Sequence, residues 1–166
     1  MSSENIVNIA DLEPVDFGHG ERFAARLAPV GVPLGLTKIG CNVSEYPPGK
    51  AAFPMHAHRN NDELFFVLEG AGEVRIGDEI HSIRAGDFIG LPADSGKAHQ
   101  IRNSGDIPLK VLALSSFLSP DVMEYPDEGK VGLAVFNKPF GVPDPRGLRK
   151  FFHADDAVDY WDGVED

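Results

Sequence analysis

Cysteine is almost missing from this chain of 166 residues: Cys41 stands alone, so no internal disulfide can form and a cysteine-built zinc site is excluded. A lone thiol suits a reducing compartment, and the expected location is the cytoplasm. No run of about eighteen apolar residues occurs, which excludes a membrane-spanning helix. The first stretch, MSSENIVNIADLEP, has neither a basic leader nor an apolar run, so no signal peptide is expected. Basic residues are scarce beside acidic ones, 15 Lys and Arg against 26 Asp and Glu. No basic cluster offsets that excess, and an acidic surface repels phosphate backbones, so nucleic acid is not an expected partner. Part of the excess is local, because ADDAVDYWDGVED near the end contains no base.

What is present is a chain cut into short pieces by 13 prolines and 18 glycines, which favours strands and turns over long helices. Its length fits one hydrophobic core. Residues 1–35 read as an N-terminal arm and first strand, with ERFAARLA (Glu21 to Ala28) open between helix and strand. Ile39, Cys41 and Val43 alternate with Gly40, Asn42 and Ser44, the period of a half-buried strand, and the apolar set is expected to face inward. In ELFFVLE, Glu63, Phe65 and Val67 share one face while Leu64, Phe66 and Leu68 share the other. Apolar residues on both faces predict cover on both, the barrel interior on one side and the tail or a second subunit on the other.

EVRI and EIHSI, joined by Gly77-Asp78, predict a hairpin. RAGD at residues 84–87 predicts a turn into FIGL, and HQIRN and LKVLALSSF read as further strands. Close, even spacing of such pieces predicts an all-β sandwich or barrel over residues 36–119. From 120 to 149, five prolines and four glycines without a sustained period predict an extended arm and loops. Phe151, Phe152, Val158, Tyr160 and Trp161 then predict docking of the end of the chain. Residues 120–166 are therefore read as an extension packing on the barrel or on a partner subunit.

Chemistry concentrates around His56. His56 and His58 are two apart, so on a strand both imidazoles point the same way. Glu63 follows after Arg59-Asn60-Asn61-Asp62, a polar turn that can reverse the chain and return the carboxylate to the same interior. His99 opens a later strand after a glycine-containing loop. Three imidazoles and one carboxylate can thus meet at one mouth of a barrel. Such nitrogen and oxygen donors suit one divalent transition metal, with positions left for water or substrate.

The stretch Gly49-(KAAFPM)-His56-Ala57-His58-(RNND)-Glu63-(LFFVLE)-Gly70 resembles the first motif of the cupin family, with six residues before the first histidine where the family usually has five. Gly86-(DFIGL)-Pro92-(ADS)-Gly96-(KA)-His99-(QIR)-Asn103 resembles the second motif, with three residues between Pro and Gly where one is usual. The resemblance covers residues 36–118 and includes the complete ligand set. It implies a jelly-roll, double-stranded β-barrel, a homodimer, and a metal (Zn, Mn, Fe or Ni) on the inner wall held by His56, His58, Glu63 and His99. The whole chain is similar to small bacterial cupins labelled as sugar-phosphate isomerases, a label that says little about chemistry.

Glu63 is the candidate catalytic group. Phe65, Lys97, Ile101 and Asn103 are the candidate substrate contacts, and Arg59 flanks the ligands in a loop. Phe65, Val67 and Ile101 are equally suited to filling the barrel, and a buried Asn103 needs hydrogen-bond partners. His19, His81 and His153 lack comparable context, and Cys41 reads as a small buried apolar residue. Three functions compete: a metal-dependent isomerase of a small polar molecule, a non-haem dioxygenase, and a small-ligand-binding module without turnover.

Overall fold

The computed structural model describes residues 5–138 and 142–165; residues 1–4, 139–141 and 166, which belong to the expected arm and extension, lie outside it. Among the described residues the chain forms β1 (Val15–His19), β2 (Phe23–Pro29), β3 (Ile39–Tyr46), β4 (Ala57–His58), β5 (Glu63–Glu69), β6 (Ala71–Ile76), β7 (Glu79–Arg84), β8 (Phe88–Leu91), β9 (His99–Arg102), β10 (Leu109–Ser116), β11 (Asp121–Tyr125), β12 (Lys130–Val135) and β13 (Leu148–His153). The helices among the described residues are single 3-10 turns, at Ile9–Asp11, Pro126–Glu128 and Ala154–Asp156. No helix is long and apolar enough to cross a membrane.

Six strands form one antiparallel sheet in the order β1-β2-β3-β10-β5-β8. A second group, β13-β12-β11-β4, meets a third, β7-β6-β9, through His56 and His99. These two residues exchange both backbone hydrogen bonds, at 3.0 and 2.7 Å, so the smaller sheets join edge to edge there. The core lies between the layers: Leu27, Tyr46, Phe65, Val67, Ile89, Leu91, Leu109 and Val111 from the large sheet meet Val74, Ile83 and Ile101 from the other.

Turn chemistry sets the register. Gly77 adopts φ +58° between Ile76 and Glu79, which face each other across the β6–β7 hairpin as the Gly-Asp pair predicts. Phe23–Pro29 is a strand, which resolves the open reading of ERFAARLA.

Three expectations need correction. The main core cluster takes the even-numbered set of β3, although Val43 of the odd-numbered set is buried as well. Tyr46 pairs with Leu109 and Ser44 with Val111, both core residues, while Ile39 is exposed. The polar residues on that inner face satisfy one another, Ser44 Oγ donating to Asn42 Oδ1 at 2.6 Å, so alternation of polarity pointed the wrong way. Second, the segment after Pro120 is not an arm of loops. β11 pairs with both β4 and β12, and β12 pairs with β13. Prolines and glycines there mark turns, such as Gly129 at φ +60° between β11 and β12. Third, of the two coverings expected for the apolar end, the barrel of its own chain is not the one: Tyr160 is 84% and Trp161 67% exposed, and Val158, Phe151 and Phe152 are open as well. The outer face of β5 is likewise uncovered at Leu64, and the Phe66 ring packs at a tilt on the exposed Phe88.

Candidate metal centre

The His56–His99 junction places two imidazoles side by side, because residues exchanging both backbone bonds project to the same face; their ring centres are 4.5 Å apart. His58, two residues on, shares that face. The chain then turns through Arg59 to Asp62 and starts β5 at Glu63. Asn61 fastens the turn: its Oδ1 accepts from Leu118 N at 2.7 Å and its Nδ2 donates to Leu118 O at 3.1 Å.

Glu63 Oε2 is the hub. It lies 2.9 Å from His99 Nε2, 3.6 Å from His58 Nε2 and 4.0 Å from His56 Nε2. One donor atom each of His56, His58 and Glu63 lie within 4.8 Å of one another. Donors bound about 2.1 Å from a common ion sit roughly 3–4 Å apart, depending on angle, and the spacing here fits that cage.

Hydrogen bonds decide which nitrogens face the hub. His56 Nδ1 is 2.8 Å from the carbonyl of Pro54, and His58 Nδ1 is 2.6 Å from Asp121 Oδ2. A carbonyl and a carboxylate only accept, so both rings carry their proton on Nδ1 and turn the Nε2 lone pair toward Glu63. Lone pairs thus face a carboxylate with no hydrogen between them. Glu63 Oε2 and His99 Nε2 are moreover buried, 2.9 Å apart, with no hydrogen bond to any third group. Buried polar atoms are ordinarily satisfied. A cation among them would satisfy the donors of His56, His58 and Glu63, which lie within reach of one another.

Charge balance follows the same geometry. Burial, reinforced by neighbouring His99, holds His56 down at about 4, so it is a neutral donor at physiological pH. Burial also disfavours the charged form of His58, but its bond to Asp121 and the charges of Glu63 and Asp121 outweigh that and raise it. Burial pushes the Glu63 carboxyl upward, yet His99, His58 and His56 overcome this and hold it below its usual range.

Asp121 is a site residue that the sequence reading missed. Only 1% exposed, it also accepts Asn60 N at 3.1 Å, tying β11 to the ligand-bearing turn. A carboxylate behind a ligand histidine fixes its tautomer and raises its basicity. The one signal in the chain is an acid directly after Ser119-Pro120. Tyr125 is a second such residue: its ring stacks on His56 with centres 6.0 Å apart, and Phe53 meets the same imidazole edge-on at 6.1 Å.

The proposed substrate contacts separate. Phe65 and Ile101 belong to the core, with the Phe65 ring centre 6.2 Å from that of His99. Lys97 sits in the exposed loop before His99. Asn103 is fully buried, but its carboxamide is consumed elsewhere: Nδ2 donates to Tyr46 O and Ile107 O, both at 2.8 Å, and Oδ1 accepts from Gly105 N at 2.9 Å. It fastens loops and has no free atom for a substrate. Arg59 likewise is engaged outside the barrel by Asp94 and Glu124.

Two cavities lie away from this cluster. One of about 340 Å³ is lined on the outer face of β6 and β9 by Arg22, Arg75, Gln100 and Arg102. The other borders Ser82, Ile83 and Gly105.

Two antiparallel layers around a His/Glu cluster on the inner wall make a jelly-roll β-barrel. Residues 42–115 match the family described as "Cupin domain", which places that segment in the cupin family. The fold extends beyond it. A structure described as a sugar phosphate isomerase from a cupin superfamily of Silicibacter pomeroyi aligns over 95% of this chain and 98% of its own, at TM-score 0.77 and 20% identity, a likeness of fold alone. Germin-like protein subfamily 2 member 1 of Arabidopsis thaliana is 32% identical over 117 residues, 66% of this chain and 49% of its own. The Oxalate-binding protein of Thermotoga maritima is 34% identical over 68 residues, 41% of this chain and 54% of its own. The chain spans about half the length of the curated relatives it matches first.

Proposed function

We propose that the protein is a metal-dependent enzyme whose single divalent transition ion is held by His56, His58, Glu63 and His99, and that it acts on a small polar molecule presenting two oxygens on adjacent carbons. The observation that carries this reading is the set of lone pairs converging on Glu63 Oε2, two of whose members are buried with no hydrogen bond to any third group. A bound ion would polarise a carbonyl or enediolate oxygen as a Lewis acid. The relatives' names support the substrate shape: oxalate and a sugar phosphate both offer oxygens on neighbouring carbons.

The chain's own residues supply the rest. Pro54 and Asp121 orient His56 and His58. Phe53 and Tyr125 wall the His56 side and keep water from its ring. Glu63, held ionised by the histidines around it, is the proposed proton carrier. Isomerisation of a sugar phosphate is the first reaction to test: aldose–ketose interconversion should vanish on chelation, return with added Zn(II) or Mn(II), and be absent from His56→Ala.

The aromatic wall favours one second reading, oxygen chemistry at Fe(II) on a flatter, less polar substrate. An oxygen electrode separates the two, because an isomerase consumes none. The uncovered faces at Leu64, Phe88 and Trp161 support assembly as a homodimer, which sedimentation velocity tests directly.

A further inference from the structure

Paired residues in an antiparallel ladder share a face, so the register of β4, β11, β12 and β13 lets side chains be followed outward from the ligands. Beyond His58 the row runs Met123, Gly132, Phe151. A Cβ on Gly132 would come within 2.8 Å of the Phe151 ring and 3.0 Å of the Met123 methyl, so the missing side chain is what lets Phe151 lie flat there. The neighbouring row begins at His56, continues to the Tyr125 ring stacked on it, then to Lys130 and His153. Lys130 Nζ stands 5.5 Å from the Tyr125 ring centre, and Tyr125 and Phe151 meet edge-to-face at 5.8 Å. One row further, Asp121 is followed by Ala134 and Arg149.

The metal cluster therefore opens onto a floor of two aromatic rings bordered by cations. That charge is unusual for this chain, whose formal net charge is −11. Among the strand positions sharing the face, the one carboxylate outside the cluster is Asp121, already committed to His58. Glu128, in the β11–β12 turn, is the next acid within reach of Tyr125. No carboxylate among the described residues forms an ion pair with Lys130. The Tyr125 hydroxyl is turned to Met123 Sδ, 3.8 Å away, and the Lys130 ammonium stands over the ring rather than at that hydroxyl.

We infer that this floor binds the far end of the substrate, and that Lys130 receives an anionic group, a phosphate or a carboxylate, while the other end faces His56. The inference rests on the functional reading above and adds the substrate's charge and the residue that selects it.

The test uses full-length protein loaded with Mn(II) and three probes: glycolate, 2-phosphoglycolate and malonate. Calorimetry should show 2-phosphoglycolate binding at least tenfold tighter than glycolate. Lys130→Met should abolish that preference while leaving glycolate and Mn(II) affinity within twofold, and Lys130→Arg should restore most of it. A gain for malonate as large as that for 2-phosphoglycolate identifies the group as carboxylate; a gain for 2-phosphoglycolate alone identifies phosphate. Equal binding of all three by the unaltered chain, or equal loss of all three in Lys130→Met, overturns the inference. If Mn(II) is not taken up, the metal reading fails by itself. Inorganic phosphate is then titrated into the same proteins, where loss on Lys130→Met upholds the floor and unchanged binding overturns it.

Discussion

Asp121 Oδ2 stands 2.6 Å from His58 Nδ1, a bond between β11 and β4 that spans 63 positions of sequence and fixes which nitrogen of His58 faces Glu63. Replacing Asp121 by Asn keeps the shape but removes the charge that raises His58 and favours its Nδ1 proton. Metal affinity, measured by competition against a chromophoric chelator, should fall about tenfold to hundredfold. Unchanged affinity would mean that Asp121 serves only the backbone of Asn60, which it also holds.

Proton competition should be visible at mildly acid pH. A ligand imidazole must be neutral to bind an ion. His58 sits above the usual histidine range, so it takes a proton first as pH falls, whereas His56, held down at about 4, contributes only far lower. Between pH 7.5 and 5.5 the affinity for Zn(II) should drop by about tenfold per unit once His58 titrates. A flat profile over that range would contradict the assignment of His58.

Asn103 offers a control on the opposite side of the argument. Asn103→Ala leaves the carbonyls of Tyr46 and Ile107 and the amide of Gly105 without their partner. Chemical denaturation should show a loss of about 3 kcal/mol. Metal affinity of the folded fraction should stay within twofold. A specific loss of metal or ligand binding would restore Asn103 to the site.

Metal loading should also appear as stability. An ion that binds only the folded chain adds about 2.7 kcal/mol at a hundredfold excess over its Kd. The melting temperature should rise with Zn(II), return to baseline with EDTA, and not respond in a His56→Ala/His58→Ala double variant. A rise that persists in the double variant would place the ion elsewhere.

Much of the site could be read from the chain because its spacing is local. His56 and His58 are two positions apart, and the polar turn before Glu63 leaves the chain few other ways to go. The Gly77-Asp78 hairpin was legible for the same reason. Asp121 and Tyr125 were not, because their places depend on β11 pairing with β4, a contact that no local period announces. β3 misled because its inner face carries Asn42 and Ser44, whose mutual hydrogen bond removes the cost of burying them. The exposed Tyr160 and Trp161 show the limit in the other direction: an apolar segment predicts that something covers it, without saying what.

The central claim is met most directly by an anomalous-difference map from crystals of the protein loaded with Zn(II), collected at the zinc edge. The account predicts one dominant peak per chain, about 2.0–2.2 Å from Nε2 of His56, His58 and His99 and from a carboxylate oxygen of Glu63. A peak that leaves any of those four side chains beyond bonding distance, or no peak inside the barrel, would contradict it.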